Sequence, residues 1–188
     1  MFISRALAHG RAATAVARRG IAVGDSLLGT QVALQRARSW DEADADGFAG
    51  VTLDALFKGR KVALFALPGA FTGVCEKGHV PSFAALAAEF TAKGVDEIAC
   101  VSVNDPYTMR AWANVLDADG VAFYGDSDAS FTELAGQALD LNDDALGPGK
   151  RSNRYAVLVD DGVVTRCFVE AGAGDLEVSD GRTLLESL

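Results

Sequence analysis

The chain has 188 residues, enough for one domain with a sizeable core and little more, and its apolar (49%) and charged (23%) fractions are those of an ordinary globular protein. With 26 acidic against 17 basic residues the net charge is −9, so the body repels phosphate backbones and nucleic acid is excluded as a partner class. No apolar run approaches the roughly 18 residues that cross a bilayer. The longest, Val62 to Phe71, is broken by Pro68 and Gly69, and no membrane partner is expected.

The first acid is Asp25, whereas Arg5, Arg11, Arg18 and Arg19 all precede it. Phe2, Ile3 and Leu7 can share one side of a helix with arginines around the rest, and Arg5 and Arg11 interrupt any secretory apolar core. This composition predicts an organelle transit peptide over residues 1–22, ahead of a single domain over 23–188. Richness in Arg and poverty in Ser and Thr favour the mitochondrial matrix, with the plastid as the alternative. A tail that stays attached is the competing reading.

In the body, Val32 to Gln35 reads as a short strand and Leu53 to Phe57 as one or two helical turns ended by Gly59. Lys61 to Leu67 is a buried strand, followed by a loop from Pro68 to Thr72. From about Val74 or Cys75 to Lys93 the apolar spacing of Phe83, Leu86, Ala87 and Phe90 predicts one amphipathic helix stopped by Gly94. Ile98 to Val103 is a second buried strand. Asn104 and Asp105 can cap a helix that opens with Pro106 and runs to about Leu116. Val121 to Tyr124 is a strand and Ser130 to Leu139 a helix. Arg154 to Val159 and Val163 to Val169 form a hairpin around Asp160-Asp161-Gly162. Ser179 or Asp180 caps a terminal helix bearing Leu184, Leu185 and Leu188. This alternation predicts an α/β, thioredoxin-like fold, a central mixed β-sheet flanked by helices.

Three cysteines, Cys75, Cys100 and Cys167, are too few and too uneven for a disulfide framework. Only His9 and His79 accompany them and no Cys pair is closely spaced, so no metal is expected, nor any organic cofactor. The chemistry concentrates in Pro68-Gly69-Ala70-Phe71-Thr72-Gly73-Val74-Cys75, which leaves a buried strand and opens a helix. A thiol reacts as its thiolate, and a helix N-terminus with its unpaired N–H groups favours the anion there. Thr72 can set a hydroxyl beside the sulfur, Pro68 can cover the pocket, and Gly73 allows close backbone approach.

The spacing Pro-x-x-x-Thr-x-x-Cys resembles the active-site signature of the peroxiredoxins, and the run LPGAFTGVCEKGHVPSF resembles their type II, peroxiredoxin-5-like branch. CVSVNDPYTMRAW at 100–112 and RYAVLVDDGVV at 154–164 continue the likeness. LQRARSWDE at 34–42 and LFKGRKV at 56–62 are similar to mitochondrial type II members of plants and algae. The resemblance implies a thiol-specific peroxidase that reduces hydrogen peroxide and organic hydroperoxides through a sulfenic acid on Cys75, serving antioxidant defence and redox homeostasis. It implies Thr72 and Pro68 as companions of Cys75 and Arg154 as the catalytic arginine. Many relatives have Pro where Gly73 stands, and the mitochondrial plant branch tends to Gly. Cys100, 25 residues on, matches the second cysteine of plant type II members, so it is the resolving candidate; the competing reading is an inert buried thiol. If Cys100 does not resolve, glutathione, glutaredoxin or thioredoxin attacks directly. A homodimer through the loops around the site is also implied.

Other residues carry milder expectations. His79 lies one helical turn beyond Cys75 and reads as a packing or loop-bonding side chain rather than a tuner of the thiolate. Cys167 reads as a bland strand sulfur, Trp112 and Phe71 as core or dimer-surface groups, and Glu76 and Lys77 as solvated. A general thiol–disulfide oxidoreductase would want Cys-x-x-Cys, and Glu-Lys-Gly follows Cys75 instead. A redox sensor or holdase built on Cys75 oxidation is the non-enzymatic rival.

Overall fold

Every residue from Val62 to Leu67 is buried, the mark of a strand covered on both faces. In the computed structural model, which describes residues 20–42, 50–141, 146 and 149–188, this is β3 (Lys61–Leu67) at the heart of the sheet. Its side chains alternate: Val62, Leu64 and Ala66 enter one core, and Ala63, Phe65 and Leu67 the other.

Around β3 the chain builds a seven-stranded mixed sheet. The other strands are β1 (Ala33–Arg36), β2 (Val51–Thr52), β4 (Glu97–Ser102), β5 (Val121–Gly125), β8 (Tyr155–Asp160) and β9 (Val163–Val169), in the order β2-β1-β5-β4-β3-β8-β9. Strands β3, β4 and β5 are parallel, and β8 runs antiparallel to β3 with Tyr155 opposite Ala66. The carboxyl ends of β3 and β4 and the amino end of β8 therefore meet at one edge. Helices α1 (Leu53–Phe57), α2 (Val80–Ala84), α3 (Ala87–Ala92), α4 (Pro106–Leu116), α5 (Ser130–Leu134) and α6 (Gly181–Glu186) flank the sheet. This is the thioredoxin-like mixed sheet expected. Among the described residues no helix is long and apolar enough to cross a membrane.

Several local expectations hold for their stated reasons. Asp105 caps α4 by accepting from the N–H groups of Tyr107 and Thr108, and Asp180 caps α6 by accepting from Thr183 N–H. Asp161 and Gly162, with φ of 45° and 78°, make the tight turn between β8 and β9.

Two expectations change. The single helix to Lys93 is broken: Cys75–His79 is a π-helical turn, α2 follows, and the chain bends at Ala85–Leu86 before α3. Pro81 explains the first irregularity. It has no N–H and its ring clashes with the carbonyl four residues back, so the turn widens and Val80 N–H bonds to Cys75 O, five residues back. The helix expected to Leu139 ends at Leu134, because Gly136 (φ 63°) lets Gln137 N–H fold back onto Thr132 O at 3.0 Å. Beyond it, β6 (Ala138–Asp140) pairs with β7 (Lys150–Ser152) in a small ribbon, three residues from each strand, too short to show a strand periodicity.

Residues 1–19 of the expected transit peptide lie outside the described residues. Ile21 is already packed in the core, and its N–H donates to Ala135 O at 2.7 Å.

Candidate active site

The loop from Pro68 to Thr72 leaves β3 at the edge where β4 and β8 also converge, the usual place for a site in a parallel sheet. It is fixed to the end of β4 by Asn104, whose Oδ1 accepts from Ala70 N–H at 3.0 Å and from the Ser102 hydroxyl at 2.7 Å. Phe71 holds a positive φ of 59°, a left-handed conformation costly for a bulky residue, and its side chain is 50% exposed. Pro68, at the start of the loop, is buried. Thr72 donates its hydroxyl hydrogen to Gly69 O at 2.8 Å, which leaves the oxygen lone pairs free to accept.

Cys75 opens the π-helical turn and is 1% exposed, in a core cluster with Phe65, Val80, Phe83 and Trp112. Arg154, the residue before β8, is equally buried. Because Tyr155 sits opposite Ala66, Arg154 reaches across the sheet edge and its Nη2 donates to Cys75 Sγ at 3.3 Å. The same Nη2 donates to Ala173 O at 2.9 Å, and Nη1 lies 3.1 Å from His79 Nδ1. Arg154 Nε meets no acceptor among the described residues. Thus Cys75 and Arg154 are brought together, with Thr72 and Pro68 on the adjoining loop.

His79 is completely buried and its ring is tilted against Phe65, with centroids 4.8 Å apart. An arginine only donates and a carbonyl only accepts. Nδ1 must therefore accept from Arg154, and Nε2 must carry the hydrogen it gives Ser179 O at 2.9 Å. Burial first, and the Arg154 cation second, push the imidazole pKa down to about 3, so His79 is neutral and able to accept. The loop-bonding reading of His79 is right, and it also bonds Arg154. Glu76 departs from expectation: it is half-buried and accepts from Trp112 Nε1 at 3.3 Å. Trp112 is core, and Lys77 is exposed.

Cys100 lies in the same core cluster as Cys75, beneath it on β4, and is fully buried. Burial pushes its thiol well up, the neighbouring Cys75 adds to this, and Arg154 opposes it. Both thiols are free. Cys167 is elsewhere, on the opposite face of the sheet, with Sγ 3.3 Å from Ile21 O. Sequence reasoning did not find the carbonyls of Ala173 and Ser179 or the carboxylate of Glu170 behind them. Backbone acceptors leave no mark in a sequence, and the one signal present was an acid directly after a strand.

The Redoxin family model matches residues 29–185. The chain is 42% identical over 195 residues to Peroxiredoxin-2F, mitochondrial, of Oryza sativa subsp. japonica, covering 99% of this chain and 98% of that protein. It is 44% identical over 171 residues to Peroxiredoxin-2E-2, chloroplastic, of the same plant, covering 89% and 72%. Among solved structures, reduced Prx3 of Vibrio vulnificus in complex with hydrogen peroxide superposes with a TM-score of 0.77 at 39% identity, covering 89% of this chain and 98% of that one.

Proposed function

The chain belongs to the redoxin family and is a peroxiredoxin, an antioxidant thiol peroxidase, and from that premise we propose that Cys75 is its nucleophile and Arg154, Thr72 and Pro68 its partners. The observation that carries this reading is the 3.3 Å contact between Arg154 Nη2 and Cys75 Sγ, both residues being buried.

The substrate is hydrogen peroxide or an organic hydroperoxide. Cys75 sulfur attacks the nearer peroxide oxygen in line with the O–O bond. The S–O bond forms as the O–O bond breaks, sulfur is oxidised to a sulfenic acid, and the leaving hydroxide or alkoxide takes a proton and departs as water or alcohol. Negative charge moves from sulfur to the leaving oxygen. Arg154, held against Sγ and with its Nε hydrogen still unclaimed, stabilises both ends of that shift. The lone pairs of Thr72 accept the peroxide O–H, the N–H groups of Val74 and Cys75 help orient it, and Pro68 limits water.

An external thiol resets the enzyme: glutathione with glutaredoxin, or thioredoxin. Cys100 resolves internally only after the π-helical turn unwinds, because it is sealed in the core and its raised thiol is a poor nucleophile until exposed. The test supplies hydrogen peroxide, NADPH and either the thioredoxin or the glutaredoxin–glutathione reductase system to the chain from Gly20 onward. NADPH oxidation with at least one system is expected, and none with either overturns the reading. A Cys100→Ser variant that loses turnover with thioredoxin alone marks the internal route.

The exposed, strained Phe71 beside Val74 is the surface through which we expect two copies to pair. Light scattering is expected to report twice the chain mass for the parent and a monomer for Phe71→Asp; a monomer for both removes the dimer. The residues ahead of Ile21 act as the transit peptide, to mitochondria before plastids, with the packing of Ile21 favouring cleavage close to Arg19 and not after residue 22.

A further inference from the structure

Glu170 follows β9 directly, the residue is only 4% exposed, and none of the ion pairs among the described residues involves it. A buried carboxylate without a cation must be satisfied by hydrogen bonds. Here one oxygen, Oε1, takes the N–H groups of Glu177 at 2.9 Å, Val178 at 2.9 Å and Ser179 at 2.8 Å, and the Ser179 hydroxyl at 2.8 Å. The backbone of Glu170 joins in, donating N–H to Arg154 O at 3.0 Å.

These bonds fold residues 171–179 back onto the end of the hairpin. That segment supplies both outer acceptors of the buried arginine–imidazole pair. Ala173 O takes Arg154 Nη2, and Ser179 O takes His79 Nε2. A continuous line of hydrogen bonds therefore runs from Glu170 through Ser179 and His79 to Arg154 and on to Cys75 Sγ.

We propose that Glu170 is a positioning residue for peroxide reduction: its carboxylate sets the 171–179 segment so that Ser179 fixes the His79 tautomer and Ala173 fixes the Arg154 guanidinium against the sulfur. Burial alone raises this carboxyl; the N–H groups of Val178, Ser179 and Glu177 and the Ser179 hydroxyl outweigh it and hold it below the ordinary range, so the charged form grips the loop at neutral pH. The inference rests on Cys75 and Arg154 acting as proposed above.

The test follows each half-reaction separately in the parent, Glu170→Ala and Glu170→Gln, using hydrogen peroxide for oxidation and dithiothreitol for reduction, with thermal unfolding as the check on folding. Partners that orient a reacting group from behind contribute on the order of tenfold or more. Glu170→Ala is expected to slow the peroxide step by that factor and leave the dithiothreitol step unchanged. Glu170→Gln recovers most of the loss, because its amide oxygen still accepts the three N–H groups. A folded Glu170→Ala oxidised at the parental rate, or one in which both steps fall together, overturns the proposal. If Glu170→Ala does not fold, Glu170→Asp, charged but one methylene short, is read by the same criteria. A parent inert to peroxide would fault the peroxidase reading alone. The positioning claim is then read from nitrogen NMR of His79: the Nε2–H tautomer kept in the parent and scrambled in the alanine variant supports it, and no change overturns it.

Discussion

Replacing Cys75 by serine is expected to abolish peroxide turnover, a loss on the order of 10⁴-fold or more, while leaving the fold intact. Serine has nearly the same shape, so the cluster of Phe65, Val80, Phe83 and Trp112 around position 75 keeps its packing, and thermal unfolding should shift little. The chemistry does not survive. A hydroxyl is far less nucleophilic toward a peroxide than a thiolate, and oxygen has no counterpart to the sulfenic acid. Cys100 cannot stand in, because it is sealed beneath the site with its thiol pushed up by burial, and Cys167 lies on the other face of the sheet. The measurement is NADPH oxidation coupled to hydrogen peroxide with the thioredoxin and the glutaredoxin–glutathione reductase systems in turn. Turnover in the parent and none in Cys75→Ser assigns the nucleophile. Equal rates in both would move the chemistry to another residue, and equal negligible rates would favour a redox sensor or holdase.

How much of this site could be read in the sequence depends on how local each feature is. Cys75, Thr72 and Pro68 lie within eight consecutive residues between a buried strand and a helix, and that pattern is visible without a fold. Arg154 stood out only through family resemblance; what brings it 79 residues back to Cys75 is the antiparallel register of β8 on β3. The strands were legible because Val62 to Leu67 and Ile98 to Val101 are buried on both faces. Apolar spacing predicted one helix from about Val74 or Cys75 to Lys93. Periodicity cannot see that Pro81 withdraws an N–H and widens the turn to π geometry, nor that the chain bends at Ala85 and Leu86. The β6–β7 ribbon was illegible for a related reason: it is held by backbone pairing between two three-residue strands of mixed character, and pairing of that kind has no composition.

The role given to His79 shows the same divide and leads to the second large effect. Nothing in Cys-Glu-Lys-Gly-His distinguishes a packing imidazole from one that orients an arginine. The distinction comes from Ser179, a hundred residues away, whose carbonyl fixes which nitrogen carries the hydrogen. Arg154 is thus held at three points, Cys75 Sγ, His79 Nδ1 and Ala173 O, by a planar fork that a flexible ammonium does not reproduce.

Arg154→Lys is therefore expected to slow the peroxide half-reaction by about 10²- to 10³-fold, the range seen when one donor to a developing oxyanion is lost. It keeps the charge and most of the volume, so the fold should survive. Arg154→Ala is expected to be slower still and to unfold more easily. It leaves His79 Nδ1 buried without a donor, at about 1–3 kcal/mol, and frees the half-buried Ala173 O to water. Its removal also takes away the smaller of the two influences that keep His79 neutral; burial, the larger, remains, so the imidazole gains no charge at neutral pH to replace the lost cation. Stopped-flow oxidation of each variant by hydrogen peroxide, with urea unfolding alongside, separates the effects. A lysine variant that reacts at the parental rate would mean that charge alone suffices and that the fork geometry, with the His79 and Ala173 contacts behind it, serves stability and not the reaction.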